Sequence, residues 1–388
     1  MTATSTMTGT SKSKVTTQRS LALDIFRGMT ICFMIIVNNS DDLAFAPLHH
    51  AHWFGFTPTD LVFPSFLFAV GNAMSFSMKK FETMSQGAVL RKILRRTLLI
   101  FLLGYLMYWF PFFQQDASGH WGLIPIANTR IMGVLQRIAL AYGIASLLIY
   151  YLKRKTVWAV SILLLVGYWI ILLIAGVPGA DPLSMTGNAG YRLDMFILGP
   201  NHMYHGEGIA FDPEGLLSTL PSVVNVVVGY YAGVYIGKKG KEYEGLTNLL
   251  LWGCGFVVLA LAWNMVLPIG KKLWTSSFVC VTVGIDLCLL AFLIYIIEFR
   301  NKRRWTPFFN VFGKNALFIY LLSELLITVL NMIPAGGPGE NVVDWINRVF
   351  YHAVFPGAFG SLLFAISYMM VCWCVGKWLD YKKIYIRV

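Results

Sequence analysis

Three histidines within four positions stand in a polar stretch near the start of this chain, between two strongly apolar runs. The stretch, VNNSDDLAFAPLHHAHWFGFTPTDLVFP, contains His49, His50 and His52, and Asp60 follows them. A histidine exchanges protons near neutral pH, and a neighbouring carboxylate decides which ring nitrogen carries the hydrogen. The pattern predicts a general base or a nucleophile in this loop; the alternative is that each histidine is an ordinary loop residue.

The same histidines raise the question of a metal site. Pro47 upstream and Gly55 downstream indicate an irregular loop, in which nothing enforces tetrahedral geometry, and no Glu stands at HExxH spacing. The six cysteines lie inside apolar runs without zinc-ligand spacing, as is typical of small buried residues. We therefore predict no metal ion.

Other polar residues stand where either chemistry or structure could use them. Asn38 ends the first apolar run, where its amide either satisfies frayed backbone groups or donates a hydrogen bond to a reacting carbonyl oxygen. Gln136 and Arg137 lie about two turns into another apolar run, and an arginine at that depth needs an anion. Its partner is either a buried acid, Asp286 or Glu324, or the phosphate of a ligand.

Two helix starts are predicted close to these residues. Thr59 is expected to cap one helix, with Asp60 in its first turn. In FDPEGLLSTLPS, Asp212 is expected to cap another, with Pro213 at the first helical position and Glu214 in the first turn. These roles are structural, and they leave Asp60 able to orient a histidine.

Membrane-spanning helices must position these residues. Of the 388 residues, 57% are hydrophobic and 13% are charged, and the mean hydropathy is +0.63. A soluble domain is about 25% charged. Runs such as VWAVSILLLVGYWIILLIAGV reach the roughly 20 residues that cross a bilayer. The composition excludes an ordinary soluble domain and predicts an all-α integral membrane protein, a bundle of about ten transmembrane helices.

Charge decides the predicted orientation of these spans. With the N-terminus in the cytoplasm, 25 of the 31 Lys and Arg residues lie in cytoplasmic segments and five lie outside. This bias predicts that both termini are cytoplasmic and that the histidine loop is extracytoplasmic. The net charge of +12 is explained by topology and contact with the lipid bilayer, so no nucleic-acid partner is predicted. The predicted spans are 22–39, 60–78, 97–113, 131–151, 156–176, 215–236, 246–267, 274–298, 310–333 and 357–380.

The chain divides into a short polar start and one long apolar unit. The first residues, MTATSTMTGTSKSKVTT, are polar and lack the apolar core of a signal peptide. We predict a disordered cytoplasmic segment over 1–17 and a single transmembrane domain over 18–388.

Several passages, in their order along the chain, resemble the transmembrane heparan-alpha-glucosaminide N-acetyltransferase family and its bacterial members. The resemblance covers about residues 20–325 and includes HHAHWFGFTPTDLVFPSFLF, GVLQRIALAY, FDPEGLLSTLPS and KKLWTSSFV. It implies a transmembrane acyltransferase that moves an acetyl group from cytosolic acetyl-CoA to the amine of a glucosamine or glucosaminide beyond a bacterial inner membrane. For its assembly, a homodimer is an open alternative.

The resemblance also implies a role for each candidate residue. His50 precedes AHW as the family's active histidine precedes AxW, Asn38 matches its active-site asparagine, and Asp60 matches the aspartate before LVFP. His50 would accept the amine proton or carry the acetyl group, Asn38 would bind the thioester oxygen, and Asp60 would hold the imidazole tautomer. Arg137, with Gln136 beside it, is a predicted contact of the CoA phosphates.

Other assignments stay open at this point. The basic clusters 91–96 and 300–304 are further candidates for the CoA phosphates. An amino-sugar secondary transporter would use the buried charges Arg137, Asp286 and Glu324 as its pathway, but the two halves of the chain show no matching pair of broken segments. A non-catalytic membrane partner protein is a third alternative. Tight binding of acetyl-CoA would distinguish the enzyme from both.

Overall fold

The computed structural model describes residues 20–115 and 120–386, so the predicted disordered segment 1–17 lies outside the described residues. A two-stranded antiparallel hairpin, β1 Phe113–Gln115 and β2 Trp121–Leu123, accompanies the helices. The helices are α1 Leu21–Asn38, α2 Val62–Phe81, α3 Gln86–Trp109, α4 Val134–Tyr151, α5 Arg154–Ile174, α6 Ala189–Ile197, α7 Thr219–Lys239, α8 Tyr243–Asn264, α9 Ser276–Ile294, α10 Thr306–Lys314, α11 Ala316–Met332, α12 Val342–Ile346, α13 His352–Val354 and α14 Ala358–Tyr381. Short 3-10 turns cover Ala46–Leu48, Pro58–Leu61, Ile126–Asn128 and Pro200–His202, and π turns cover Tyr295–Phe299 and Asn347–Tyr351.

Within the described ranges, eight helices are long and apolar enough to cross a membrane. They are α1, α2, α4, α5, α7, α8, α9 and α14, so the prediction of an all-α membrane bundle is confirmed. Two of the ten predicted spans are not among these eight helices. Helix α3 carries four cations between residues 91 and 96, and α10 and α11 are bent by 82° and count as a ninth span only when they are taken together.

Loops at one end of the bundle contact one another, and we call this the histidine end. Gly55 N donates to Ile269 O at 2.8 Å, and Trp53 Nε1 donates to Leu183 O at 2.9 Å. Along the chain these loops alternate with those of the opposite end, as the predicted spans require. The loops of the histidine end are 39–57, 110–115, 120–133, 175–218, 265–275 and 333–357.

The opposite end, which we call the basic end, contains the connections that the charge pattern assigns to the cytoplasm. Lys314 Nζ lies 2.7 Å from Asp380 Oδ1, and Asn315 Nδ2 donates to Ile384 O at 3.0 Å. These contacts fasten the last residues of the described chain to the junction of α10 and α11. The connections of the basic end are 82–85, 152–153, 240–242, 300–305 and 382–386.

Glycines let α2 and α7 approach closely at the centre of the core. A Cβ atom added to Gly71 would lie 2.0 Å from Val226 O, and one added to Gly229 would lie 2.1 Å from Phe68 O. Small residues allow such backbone contact between membrane helices, whose association depends on packing rather than on the exclusion of water. Helix α2, which directly follows the 3-10 turn of the candidate aspartate, is therefore packed closely against α7.

Candidate active site

His50 and Asp60 form a hydrogen-bonded pair at the histidine end. His50 Nδ1 lies 2.7 Å from Asp60 Oδ1; the carboxylate is fully buried, whereas the imidazole is 45% exposed. An ionised carboxylate only accepts hydrogen bonds, so Nδ1 carries the hydrogen and Nε2 keeps its lone pair. The exposed ring is therefore oriented to accept a proton or to attack a carbonyl carbon.

A 3-10 turn leading into α2 holds Asp60 in place. Asp60 Oδ2 accepts a hydrogen bond from Thr57 N at 3.0 Å, as part of a capping box with Thr57 as the cap. It also accepts one from Ala51 N at 3.2 Å. The predicted cap, Thr59, instead donates from Oγ1 to Pro47 O at 2.9 Å. The prediction was wrong by two residues, because the 3-10 turn comes before the helix proper.

Lys271 adds a cation to this pair. Its Nζ lies 3.0 Å from Nδ1 and 3.1 Å from Nε2 of His50, and 3.8 Å from Asp60 Oδ1. Burial lowers the pKa of Lys271 more than Asp60 and Glu214 raise it. No motif or spacing in the sequence singles out this lysine, although it belongs to the KKLWTSSFV passage and is among the five cations assigned to the outer side.

The other two loop histidines have ordinary surroundings. His49 Nε2 lies 3.0 Å from Ala44 O, and its carbonyl accepts a hydrogen bond from Thr57 Oγ1 at 2.8 Å. His52 is exposed in a bend. Across residues 20–115 and 120–386, no three His, Cys, Asp or Glu side chains are placed to hold a metal ion. His50 is thus the member of the triplet that meets a carboxylate in the described structure.

Asn38 lies at the end of α1 and is engaged by an acid of α11. Its Nδ2 donates to Glu324 Oε1 at 3.0 Å. Within the described residues, no hydrogen bond joins Asn38 to His50 or Asp60. The amide has a second hydrogen available, so binding of a carbonyl oxygen by Asn38 stays a prediction.

Arg137 is fully buried in α4 beneath the segment that precedes α7. Its Nη2 donates to Pro213 O at 3.0 Å and to Ser218 Oγ, and its guanidinium lies 4.7 Å from the ring centroid of Trp274. Gln136 is also fully buried, and within the described residues neither of its amide atoms has a hydrogen-bond partner. The side chain of Arg137 therefore binds backbone carbonyls of the segment before α7.

The two acids considered as partners of Arg137 are engaged elsewhere. Asp286 Oδ1 accepts a hydrogen bond from Ser65 Oγ at 2.5 Å, and Glu324 accepts one from Asn38. In the described structure neither forms an ion pair with Arg137, so the alternative of a structural ion pair with these acids is not found among the described residues. The pairing failed because carbonyl oxygens, which sequence patterns do not display, accept from the guanidinium instead.

Asp212 and Glu214 form a turn before α7 and do not begin it. Helix α7 starts at Thr219, so the predicted cap at Asp212 was wrong. Arg130 holds both acids, with Nη2 lying 2.6 Å from Asp212 Oδ1 and 2.7 Å from Glu214 Oε2. Burial raises the pKa of Glu214, but the nearby cations, Arg130 first, outweigh burial and keep it below its ordinary value.

A cavity of about 900 Å³ lies on the basic-end side of this site. Along α2 the wall of the cavity extends from Lys80 to Phe66, about 21 Å. Phe66 in turn lies about 9 Å from Asp60 along the helix axis. The buried Asn72 stands on this wall, and both of its amide atoms are unpartnered within the described residues. The charged residues of the wall are Arg27, Lys79, Lys80, Arg96, Lys314 and Asp24.

Helix α11 begins at the wall of the same cavity. After the 82° bend at Asn315, its first residues, Ala316 and Leu317, line the cavity together with Lys314. A helix N-terminus presents unpaired N–H groups and the positive end of the helix dipole. The expectation of one continuous span over 310–333 is corrected, and the break places an anion-attracting helix end beside the cations.

Comparisons with known proteins match the part of the chain that contains most of these residues. A family model described as heparan-alpha-glucosaminide N-acetyltransferase, catalytic, matches residues 19–211. The matched region includes Asn38, the His50 loop and Arg137, and it ends before Lys271.

Two curated relatives match a larger part of the chain. The heparan-alpha-glucosaminide N-acetyltransferases of Mus musculus and Homo sapiens are each 27% identical to it, over 364 and 363 residues. These alignments cover 79% of this chain and 54% and 53% of the relatives, so the chain spans about half the length of the curated relatives it matches. The motifs, the helical bundle and both comparisons agree that the chain is similar to the heparan-alpha-glucosaminide N-acetyltransferases.

Proposed function

We propose that this protein is a transmembrane N-acetyltransferase that transfers the acetyl group of acetyl-CoA to the amine of glucosamine or a glucosaminide. The observation that carries the proposal is the His50–Asp60 pair, in which a buried carboxylate orients an exposed imidazole. The names of the two relatives supply the reaction class and the type of acceptor.

The donor side of the proposal rests on the cavity of the basic end. Its cations and the N-terminus of α11 suit the phosphates of CoA, because charge-assisted hydrogen bonds to phosphate are strong. The extended arm of the donor would follow α2 past Asn72 and bring the thioester to His50. Contact of the phosphates with Arg137 or Gln136 remains a proposal from the sequence, and neither residue is part of the cavity wall described here.

The acceptor side of the proposal follows from Nε2 of His50, which carries a lone pair. A protonated amino group must lose a proton before it attacks, and Nε2 can accept that proton while Asp60 stabilises the imidazolium. That first proton is released to solvent; as the new C–N bond forms and the C–S bond breaks, the nitrogen loses a second proton, which passes through Nε2 to the sulfur of CoA. In the alternative route, Nε2 first carries the acetyl group and then gives it to the amine.

We also propose that the basic end faces the cytoplasm of a bacterial inner membrane. This orientation supplies acetyl-CoA from the cytoplasm, leaves both termini there, and turns the histidine end outward. Its support is the location of 25 of the 31 Lys and Arg residues in segments on the cytoplasmic side of the predicted spans.

The direct test uses the purified full chain in detergent with acetyl-CoA and glucosamine. We expect release of free CoA thiol that depends on glucosamine, and no release with N-acetylglucosamine, which has no free amine. His50→Ala is the matched control, because its side chain is exposed and its removal spares the core. If no amino sugar stimulates release by the wild-type protein, the proposed function is wrong.

An amino-sugar transporter remains the second candidate, favoured by the broken pair α10 and α11. Discontinuous helices bind substrates in many transporters, but these occur as matching pairs, and the described residues contain one such break. Uptake of glucosamine into protein-containing vesicles without CoA release would support the transporter and exclude the enzyme.

A further inference from the structure

Lys271 has no role in the reaction as described so far, although its ammonium group lies against the imidazole of His50. We infer that Lys271 is a further catalytic residue, which donates a hydrogen bond to the carbonyl oxygen of the acetyl thioester as that oxygen becomes an oxyanion. The inference rests on the proposed function, and it adds a charged donor to the carbonyl-oxygen contact predicted for Asn38.

The position of Nζ is the first argument. Because Nδ1–H of His50 donates to Asp60, Nε2 is the acceptor that the ring offers to Lys271 at rest. A thioester carbon that reacts beside Nε2 must place its oxygen within a few ångströms of the same point. An ammonium has three hydrogens on a flexible stem, so it can release Nε2 and donate to that oxygen without leaving the site.

The loop around Lys271 keeps this group in place. Trp274 N donates to Lys271 O at 2.9 Å, and Gly270 N donates to Thr275 Oγ1 at 3.1 Å. Ile269, two residues before Lys271, accepts the hydrogen bond from Gly55 of the histidine loop. The lysine side chain is only 17% exposed. A donor fixed in advance in a poorly hydrated place stabilises developing charge more than a mobile one does.

Neighbouring cations of the histidine end are engaged more closely than Lys271. Lys272 Nζ lies 2.6 Å from Glu207 Oε2, and Arg130 lies 2.6 Å from Asp212. The carboxylate nearest to Lys271 is 3.8 Å away and already accepts hydrogen bonds from its own turn. Lys271 therefore has more donor capacity to offer an incoming oxygen than either of these neighbours.

The proposed step balances for both routes of transfer. The nucleophile, either the amine or Nε2 of His50, forms a bond to the thioester carbon, and the C=O electron pair moves to oxygen. Lys271 donates a hydrogen bond to that oxygen and keeps its proton. When the C=O bond forms again, the C–S bond breaks. In direct transfer the ammonium has already lost one proton to solvent, and its second proton passes through His50 to the thiolate of CoA. When Nε2 is the nucleophile, the thiolate takes a proton from solvent, and the amine then displaces Nε2 from the acetyl carbon and loses its protons to solvent.

The test compares Lys271→Met, Lys271→Arg and the control Lys272→Met by steady-state kinetics. Loss of one oxyanion donor costs about a hundredfold to a thousandfold in kcat, so Lys271→Met should show that loss with little change in acetyl-CoA affinity. Lys271→Arg should recover part of the rate because it keeps a donor. Lys272→Met should retain wild-type kcat, since that lysine pairs with Glu207.

A second donor tests direct contact with the oxygen. In the dithioester analogue of acetyl-CoA, a sulfur replaces the carbonyl oxygen and accepts hydrogen bonds poorly. The wild-type protein should prefer acetyl-CoA, and Lys271→Met should lose about tenfold or more of that preference. A merely structural role would lower both rates together. If Lys271→Met does not fold, the ratio of the rate with acetyl-CoA to the rate with the dithioester is measured for Lys271→Arg instead. That ratio should differ from the wild-type value, because a guanidinium presents its donors to the oxygen with a different geometry.

The outcomes separate this inference from the proposed function. An active wild-type protein with an equally active Lys271→Met variant, or with an unchanged preference between the two donors, overturns the role of Lys271 alone. A wild-type protein that transfers no acetyl group to any amine overturns the proposed function and this inference with it.

Discussion

His50 and Asp60 are ten residues apart in the sequence, yet the Nδ1 and Oδ1 atoms of their side chains lie 2.7 Å apart. The capping box at the start of α2 fixes the carboxylate, and the loop returns the histidine onto it. A fully buried charge therefore orients a ring that remains open to substrates. Backbone N–H groups of Ala51 and Thr57, in the same polar stretch, support this arrangement through Asp60 Oδ2.

We expect chemistry to depend on His50 and not on its two neighbours. His50→Ala should lose at least about two orders of magnitude in acetyl transfer, as removal of a general base does, and should keep acetyl-CoA binding. His49→Ala and His52→Ala should stay within about tenfold of wild type. CoA release at matched expression measures all three. An active His50→Ala with an inactive His52→Ala would show that the motif was aligned in the wrong register.

Arg137 should matter for folding. Arg137→Ala removes the donor to Pro213 O and Ser218 Oγ, and buried acceptors left without a partner cost on the order of a few kcal/mol. Its thermal midpoint in detergent should fall, whereas that of Arg192→Ala, an exposed control at the same end, should not. A stable Arg137→Ala with weakened acetyl-CoA affinity would instead support the CoA contact expected from the sequence.

The cations of the cavity should govern donor affinity. Reversing the charge at Lys79 and Lys80 should weaken acetyl-CoA binding by about tenfold for each charge at low salt, and by less at high salt. Lys238→Glu, an exposed change at the same end but off the cavity wall, is the control. Equal affinities for all variants would remove the cavity from the proposed donor path.

Asp194 should make stability depend on pH. Burial first, and then the charge of Asp212, raises the pKa of this carboxyl from 3.8 to about 7. Because the folded pKa is the higher one, the stabilising contribution is complete below the unfolded value and is lost as the pH rises through about 7. The thermal midpoint should therefore fall between about pH 4 and pH 8. Asp194→Asn should flatten this decline, and Asp181→Asn, in an exposed loop, should not.

Sidedness can be measured in intact cells with a membrane-impermeant thiol reagent. A cysteine at Asp181, in a loop of the histidine end, should be labelled above the wild-type background. A cysteine at Lys241, between α7 and α8, should be labelled only after the cells are opened. The reverse pattern would place the basic end outside and would remove cytosolic acetyl-CoA as the donor.

The sequence by itself determined the class of the protein and indicated the pairing of His50 with Asp60. A run of about 20 apolar residues spans a bilayer whatever its neighbours are, so composition and run length were enough to predict an all-α membrane bundle. His50 and Asp60 are close along the chain, and one loop and one helix cap bring them together. The short-range pattern failed only in detail, at Thr59 and at Asp212, where turns precede the helices.

The tertiary structure decided every contact between distant parts of the chain. Lys271 stands 221 residues after His50, and Glu324 stands 286 residues after Asn38. Such pairs depend on which helices become neighbours and how they are rotated, and an apolar run that is buried on all sides carries no period that reveals this. The partners of Arg137 are backbone carbonyls, which every residue possesses, so no pattern of side chains could have identified them.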